Sequence, residues 1–265
     1  MIDISEESLL AAAVDSLNSQ DFPDSLQHWL YKCLGHDNIT VLAYFQNRAP
    51  VPKMIRNREP KVHEHISNVY LTGAYLLDPF HELHINKAPA GIYRLSDISP
   101  DKFHRNQYFL EYYRNTTMID EFAFVSYPSP NVSLHVCLGR DSNSNRRFTT
   151  RDLAKAHLIA PLVSALTSRH WHYQMSEDDH YEGDVTAKLI EAVKNSHQVS
   201  LSPRQAEVAL LVLQGHSSVS IGLELGVSFQ TVKVFRKQLY KKCQISSQAE
   251  LFNLMLPILG TISSD

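Results

Sequence analysis

The sequence predicts an α+β chain: an antiparallel sheet covered by helices, followed by a unit of four short helices. Three observations carry this. Helical patterns precede the strands, so no regular β/α alternation develops. Runs at Asn38–Phe45, Phe122–Tyr127 and Val132–Leu138 are β-branched, aromatic and bounded by turn residues. From Leu201 onward the strand signals stop, and short apolar-periodic segments are punctuated by serine and glycine. The expected division is an α+β domain over 1–173, a linker with a connecting helix over 174–200, and a helical domain over 201–265.

Ser5 to Leu17 reads as a helix with Ser5 as cap and Leu9, Leu10, Ala13, Val14 and Leu17 on one face. A second helix, Phe22–Leu34, stops at Gly35. Asn38–Phe45 is a strand, and a turn at Asn47–Pro50 leads into a weaker one at Val51–Arg56. Lys61–Leu77 reads as a helix broken by Asp78-Pro79, with a short helical turn at Phe80–Asn86. Ile92–Leu95 suits a short strand, and Asp101–Arg114 an unusually aromatic helix. The strands at 122–127 and 132–138 join through Pro128 and Pro130. Gly139–Arg147 is polar and loop-like, and Thr149–Trp171 is a long helix containing Pro161. Gln174–Glu182 is polar and acidic, as linkers are, and Val185–Val199 suits a connecting helix.

The composition is that of a soluble globular chain, 43% apolar and 20% charged, and 265 residues suffice for one large or two ordinary domains. Net charge is −3, yet from Leu201 onward six basic residues face four acidic ones. Charge is therefore segregated between the halves. Cys33, Cys137 and Cys243 are odd in number and widely spaced, which argues for a reducing, cytoplasmic setting. The N-terminus lacks the basic region of a signal peptide, and no apolar run approaches the ~20 residues of a membrane span.

In the C-terminal unit, Ser202 and Pro203 open a helix with Val208, Leu211 and Val212 at helical spacing, and Gly215 ends it. Val219–Leu225 ends at Gly226, Ser228 caps Phe229–Cys243, and Ser246 or Ser247 caps a fourth helix through Leu256 ahead of Pro257. Two short helices joined by a glycine-containing turn, the second of them basic, make a helix-turn-helix. Between Ser228 and Cys243 there are five basic residues and no acidic one. That one-sided charge is what a helix between two walls of phosphate requires. Lys233 is the principal expected contact to double-stranded DNA, with Thr231, Val234 and Lys237 beside it and Arg236, Lys241 and Lys242 as phosphate candidates. Leu251, Leu254 and Met255 exceed what a three-helix core needs, which points to a dimer surface on the fourth helix.

These residues carry a resemblance. Leu201-Ser202-Pro203-Arg204, Glu207-Val208, Gly215, Leu225-Gly226-Val227-Ser228, Thr231-Val232-Lys233, Tyr240, Lys242 and Ala249-Glu250-Leu251 closely resemble the DNA-binding domain of LuxR-type (GerE/NarL-like) bacterial transcription regulators. Ser218-Val219-Ser220, Gly222, Phe235 and Cys243 depart from the family pattern. The resemblance implies a homodimer on a two-fold symmetric operator, with RNA polymerase as a further partner. The alternative is a helical bundle that binds protein.

A receiver domain is rejected for the first half, because acidic residues do not close an early strand in a β/α repeat. Asp78-Pro79 instead resembles one step of the acyl-homoserine-lactone-binding pattern, whose fold is GAF/PAS-like. The family's flanking aromatic positions are taken here by His65, Val69 and Tyr93. Asp78, among Tyr70, Tyr75 and Phe80, is either a simple Asp-Pro turn or a polar anchor for a small-molecule effector. Asp120-Glu121, near Tyr112 and Tyr113, is either an exposed start to a strand or a second acidic wall. Together with Tyr70, Tyr75, Tyr93 and Tyr112, these carboxyls suit a cationic amine rather than an anion.

Fourteen histidines include the local pairs His63/His65, His81/His84 and His170/His172. None forms a metal constellation, so surface or packing roles are expected, and no cofactor. No G-x-S-x-G elbow, P-loop or G-x-G-x-x-G is present. The expected function is a ligand-responsive, non-enzymatic regulator. The competing reading makes the first domain an enzyme-like or protein-interaction module.

Overall fold

The computed structural model describes residues 5–46, 48–62, 64, 66–113, 116–172 and 185–262. Asn47, His63, His65, Arg114, the segment 174–182 and the side chain of Tyr112 lie outside the described residues.

Ser5 accepts the Ser8 amide at 3.2 Å and opens α1 (Glu6–Asp15). Helix α2 (Phe22–Leu34) ends where Gly35 turns left-handed at φ 60°. The chain then enters β1 (Asn38–Phe45) and returns as β2 (Val51–Asn57). After an irregular stretch come α3 (Pro79–Ile85), β3 (Gly91–Arg94) and a single turn, α4 (Leu95–Ile98). Strands β4 (Met118–Ser129) and β5 (Val132–Asp141) form a long hairpin, and α5 (Thr150–Trp171) follows from a capping box between Thr149 and Asp152. All five strands pair antiparallel in the order β2-β1-β5-β4-β3.

Alternation along the strands divides the core. Ile39, Val41, Phe122, Phe124, Leu134 and Val136 meet α2 and α5 on one face. Leu42, Tyr44, Ala123, Val125 and Cys137 lie on the other, with α3 and the segments 66–77 and 103–113. That second core runs on without a break into α6 (Val185–His197), α7 (Pro203–Gln214), α8 (Ser218–Leu225), α9 (Phe229–Cys243) and α10 (Gln248–Ile262). Among the described residues no helix is long and apolar enough to cross a membrane.

The expected helix Lys61–Leu77 is instead a 3-10 turn at Pro60–Val62, a π turn at Ile66–Tyr70 and a 3-10 turn at Ala74–Leu77. Gly73 explains the break: it sits at φ 148°, and a Cβ there would lie 2.6 Å from the Gly260 amide nitrogen. Asp101–Arg114 is likewise a 3-10 turn at Phe103–Arg105 and a π turn at Phe109–Tyr113. Asn106 interrupts it by accepting the Phe109 amide at 2.7 Å while donating to the Leu213 carbonyl at 3.1 Å. The expected loop at Gly139 begins as strand, because Arg140 donates to the Leu34, Gly35 and Arg147 carbonyls and Asp141 N–H bonds Asp37. Helix α10 continues through Pro257, since Ile258, Leu259 and Ile262 beyond it are buried.

Candidate functional site

Two features concentrate the chemistry: the exposed side of α9 and a cavity under the sheet.

Ser217 caps α8, and Gly226 closes it in the left-handed region at φ 64°. A Cβ on Gly222 would stand 2.8 Å from the Val227 carbonyl oxygen, so this glycine lets the turn fold tightly against α8. Ser228 accepts the Thr231 amide at 3.1 Å and starts α9. Val232, Leu239 and Cys243 face the core. Lys233, Val234, Lys237 and Lys241 are exposed, with the three lysines one turn apart along one side; Thr231 is half-buried. The Lys233 ammonium lies 4.2 Å from the centre of the Phe229 ring. Arg236 is half-buried and donates to Ser218 Oγ at 3.2 Å and to Tyr240 at 3.3 Å. Lys242 is set apart from the others, because it donates to the Ser200 carbonyl at 2.7 Å and to Gln205 at 2.9 Å.

The fourth helix differs from expectation. Leu251 and Met255 are fully buried and Leu254 is half-buried, since the apolar side of α10 packs on α6, on α7 and on the 74–77 turn. The surplus apolar area is thus covered within the chain.

The cavity under the sheet encloses about 40 Å³, room for a few water molecules. Tyr44, Tyr70, Asp78, Tyr113, Glu121 and Cys137 line it beside apolar groups, and among the described residues no Lys, Arg or His does. Asp78 is 5% exposed and plays two parts. Its carboxylate accepts the Phe80 amide at 2.9 Å, capping α3, and bonds with the hydroxyls of Tyr70 and Tyr108. Burial pushes its pKa up to about 6, against those three bonds. Glu121 is pushed further, to about 8, by burial first and then by Asp78 and Asp120. At neutral pH the pair therefore carries close to one negative charge between two carboxyls. Tyr44 and Tyr70 share a hydroxyl–hydroxyl bond of 2.5 Å above them.

The cavity brings Tyr70, Asp78 and Glu121 together; Asp120, Tyr75 and Tyr93 lie elsewhere. Asp120 points to the opposite side of β4, where it binds Arg94 at 2.7 Å and accepts the Phe148 amide at 2.8 Å. Strand alternation separates the two adjacent acids. Tyr75 turns to a different cleft and packs on His81 at 4.9 Å. Tyr93 donates to the Pro89 carbonyl at 2.7 Å, away from the cavity. Thr40, Leu42 and Tyr44 line the cavity but were not singled out. Period two along Asn38–Phe45 was the available signal, since it puts these three on one face.

Among the described residues no cluster of His, Cys, Asp or Glu could hold a metal ion. His81, His84 and His135 are buried around Tyr44, with Ser133 bonded to both His84 (2.8 Å) and His135 (3.0 Å), which is a packing arrangement.

The family described as bacterial regulatory proteins, luxR family, matches residues 199–255. A protein of Aeromonas salmonicida named for an HTH-type transcriptional regulator in the exeN 3′ region is 30% identical over 190 residues, 69% of this chain and 95% of that protein. The VqsR LBD domain from Pseudomonas aeruginosa superimposes with a TM-score of 0.54 at 23% identity, covering 63% of this chain and 96% of that domain, and so shares the fold of the first half. Escherichia coli SdiA aligns over 97% of this chain and 99% of its own, at 15% identity and a TM-score of 0.41, too low to argue from.

Proposed function

We propose that this chain, which belongs to the luxR family of bacterial regulatory proteins, is a cytoplasmic, ligand-responsive regulator that reads operator DNA through α9. The observation that supports this best is the exposed basic side of a helix-turn-helix second helix: Lys233, Lys237 and Lys241 on one side, with no acidic residue from Phe229 to Cys243. On this reading Lys233 and Val234 meet base edges, with Thr231 beside them, and Lys237 and Lys241 meet phosphates. Arg236 reaches phosphate only by leaving Ser218, and Lys242 only by leaving Gln205. One short helix reads few base pairs, so a homodimer on a two-fold symmetric site is the economical arrangement, with RNA polymerase as the partner that regulation requires.

The test is fluorescence anisotropy on an operator selected from random DNA. Lys233→Ala should weaken binding, and Lys237→Ala should lower the slope of log affinity against log salt by about one. Unchanged affinity and slope in both variants would take α9 out of the groove.

The effector reading rests on the cavity that joins Asp78, Glu121 and three tyrosines. We infer a small amphipathic molecule that presents an N–H to Asp78, with a charged amine favoured by the second carboxyl. The irregular turns at 66–77 and 103–113, rather than the sheet, are the walls that must move to admit it. Native mass spectrometry of the purified chain would identify the molecule. Asp78→Asn keeps the shape, removes the charge and should cost a cationic effector ~1.5–3 kcal/mol in calorimetry. Full affinity in that variant would end the assignment.

A further inference from the structure

A second opening lies at the seam between the sheet domain and the helix-turn-helix unit. It encloses about 520 Å³, within the range of small-molecule sites. Its walls come from both sides: α3, the end of β1 and the turn at Tyr75-Leu76 on one, and α6, α7, α8 and Ile262 on the other. It shares no lining residue with the cavity under the sheet.

Three observations give it a chemistry. The floor includes His81, which is 6% exposed and makes no hydrogen bond to another described residue; its contacts are with the rings of Tyr44, Tyr75 and His84. Burial holds its pKa down to about 3, so it is a neutral imidazole with one donor and one acceptor unused. Next, Glu82 of α3 and Glu224 of α8 both line the seam. Burial and then Glu224 raise the Glu82 pKa and the Asn86 side chain opposes them; Lys188 of α6 lines the same opening but is not among the charges that act on Glu82. Arg48, also on the rim, is stacked 3.8 Å from the Phe45 ring centre, and Glu207 is already paired with Arg204. Finally, the walls between these polar points are apolar: Leu76, Ile85, Leu210, Leu211, Leu225 and Ile262.

We propose that this seam is a second ligand site that takes an amphipathic alkylamine, its ammonium between Glu82 and Glu224 and its hydrocarbon along Leu210, Leu211 and Ile262. The ammonium places a positive charge between the two carboxylates. His81 is available to bond a hydroxyl or carbonyl carried along the chain. A molecule seated here touches the sensor and the DNA-binding unit together, so it stabilises their docked arrangement and couples to anything that changes it.

The test uses the full-length chain and n-octylamine, with octan-1-ol and octanoate as neutral and anionic probes, read by isothermal titration calorimetry at pH 7. Octylammonium should bind saturably and at least about tenfold more tightly than either control. Glu82→Gln and Glu224→Gln are near-isosteric and should each weaken it about tenfold. Ile85→Trp, at a position already 51% exposed, should block the seam without disturbing the fold. Asp78→Asn and Glu121→Gln, in the cavity under the sheet, should leave octylammonium binding unchanged. No saturable binding, equal affinity for octanoate, or full affinity in the Glu82→Gln/Glu224→Gln double variant would overturn the proposal. So would loss of binding in Asp78→Asn alone, which would put the amine in the first cavity and leave the effector reading intact.

Discussion

On one face of the sheet, Ile39, Val41, Phe122, Phe124 and Leu134 meet regular helices, and the acid that turns that way, Asp120, is held by Arg94 and the Phe148 amide. On the other face, Thr40, Leu42, Tyr44 and Glu121 meet 3-10 and π turns, and Glu121 finds Asp78 rather than a cation. Two neighbouring residues of one strand thus carry the same chemical group into opposite settings. A carboxylate whose partners are all supplied by the fold serves stability. A carboxyl drawn out of water with no counter-charge among the described residues costs stability, and is retained where something else is to supply that charge.

The comparison breaks most visibly at Asp120. Asp120→Ala strands the Arg94 guanidinium and the Phe148 amide at once. It should cost ~2–4 kcal/mol in urea denaturation, at the lower end because Arg94 keeps some access to water. A loss below about 0.5 kcal/mol would show that the paired acid is no more structural than the unpaired one.

Glu121 should respond in the opposite direction. Its folded-state pKa is raised from 4.5 to about 8, so between those values the folded chain holds a proton that the unfolded chain has released. Stability contributed by the protonated form is present below pH 4.5 and is lost as pH rises through 8. Asp78, raised from 3.8 to about 6, adds a loss in the same direction over a lower window. Glu121→Gln cannot ionise, so it should match the parent near pH 5 and exceed it by roughly 2 kcal/mol at pH 8. Parallel denaturation curves for parent and variant across that range would mean that Glu121 is solvated rather than enclosed.

The two halves differ in how much of this could be read beforehand. In the helical unit, local chemistry decides the structure: Ser202, Ser217 and Ser228 cap helices, Gly215 and Gly226 end them, and α7 to α9 fall within a residue or so of expectation. Helix α10 overran its expected end, because its last turn is stabilised by contact with Thr72 and Gly73, far away in the chain. The same distance defeated the helices expected at 61–77 and 101–114, whose backbones bend to meet Gly260, Leu213 and Gly215. Within the cavity, Asp78 was legible because an Asp-Pro step is a local signal. Tyr44 was not, because a tyrosine in a strand declares its face only through the register of its neighbours.

The smallest effect separates the tyrosines inside the cavity from one outside it. Tyr93 bonds the Pro89 carbonyl, at a site open to water that can replace the hydroxyl. Tyr93→Phe should therefore cost less than about 0.5 kcal/mol of stability and leave effector binding as it was. Tyr70 is 3% exposed and bonds both Tyr44 and Asp78. Tyr70→Phe removes a donor that helps keep Asp78 ionised, so Asp78 should titrate higher and a cationic effector should bind several-fold more weakly at pH 6 than at pH 8. Calorimetry of both variants at the two pH values gives the contrast directly. If Tyr93→Phe weakens the effector as much as Tyr70→Phe does, the effector lies on the β3 side of the sheet and not beneath Tyr44.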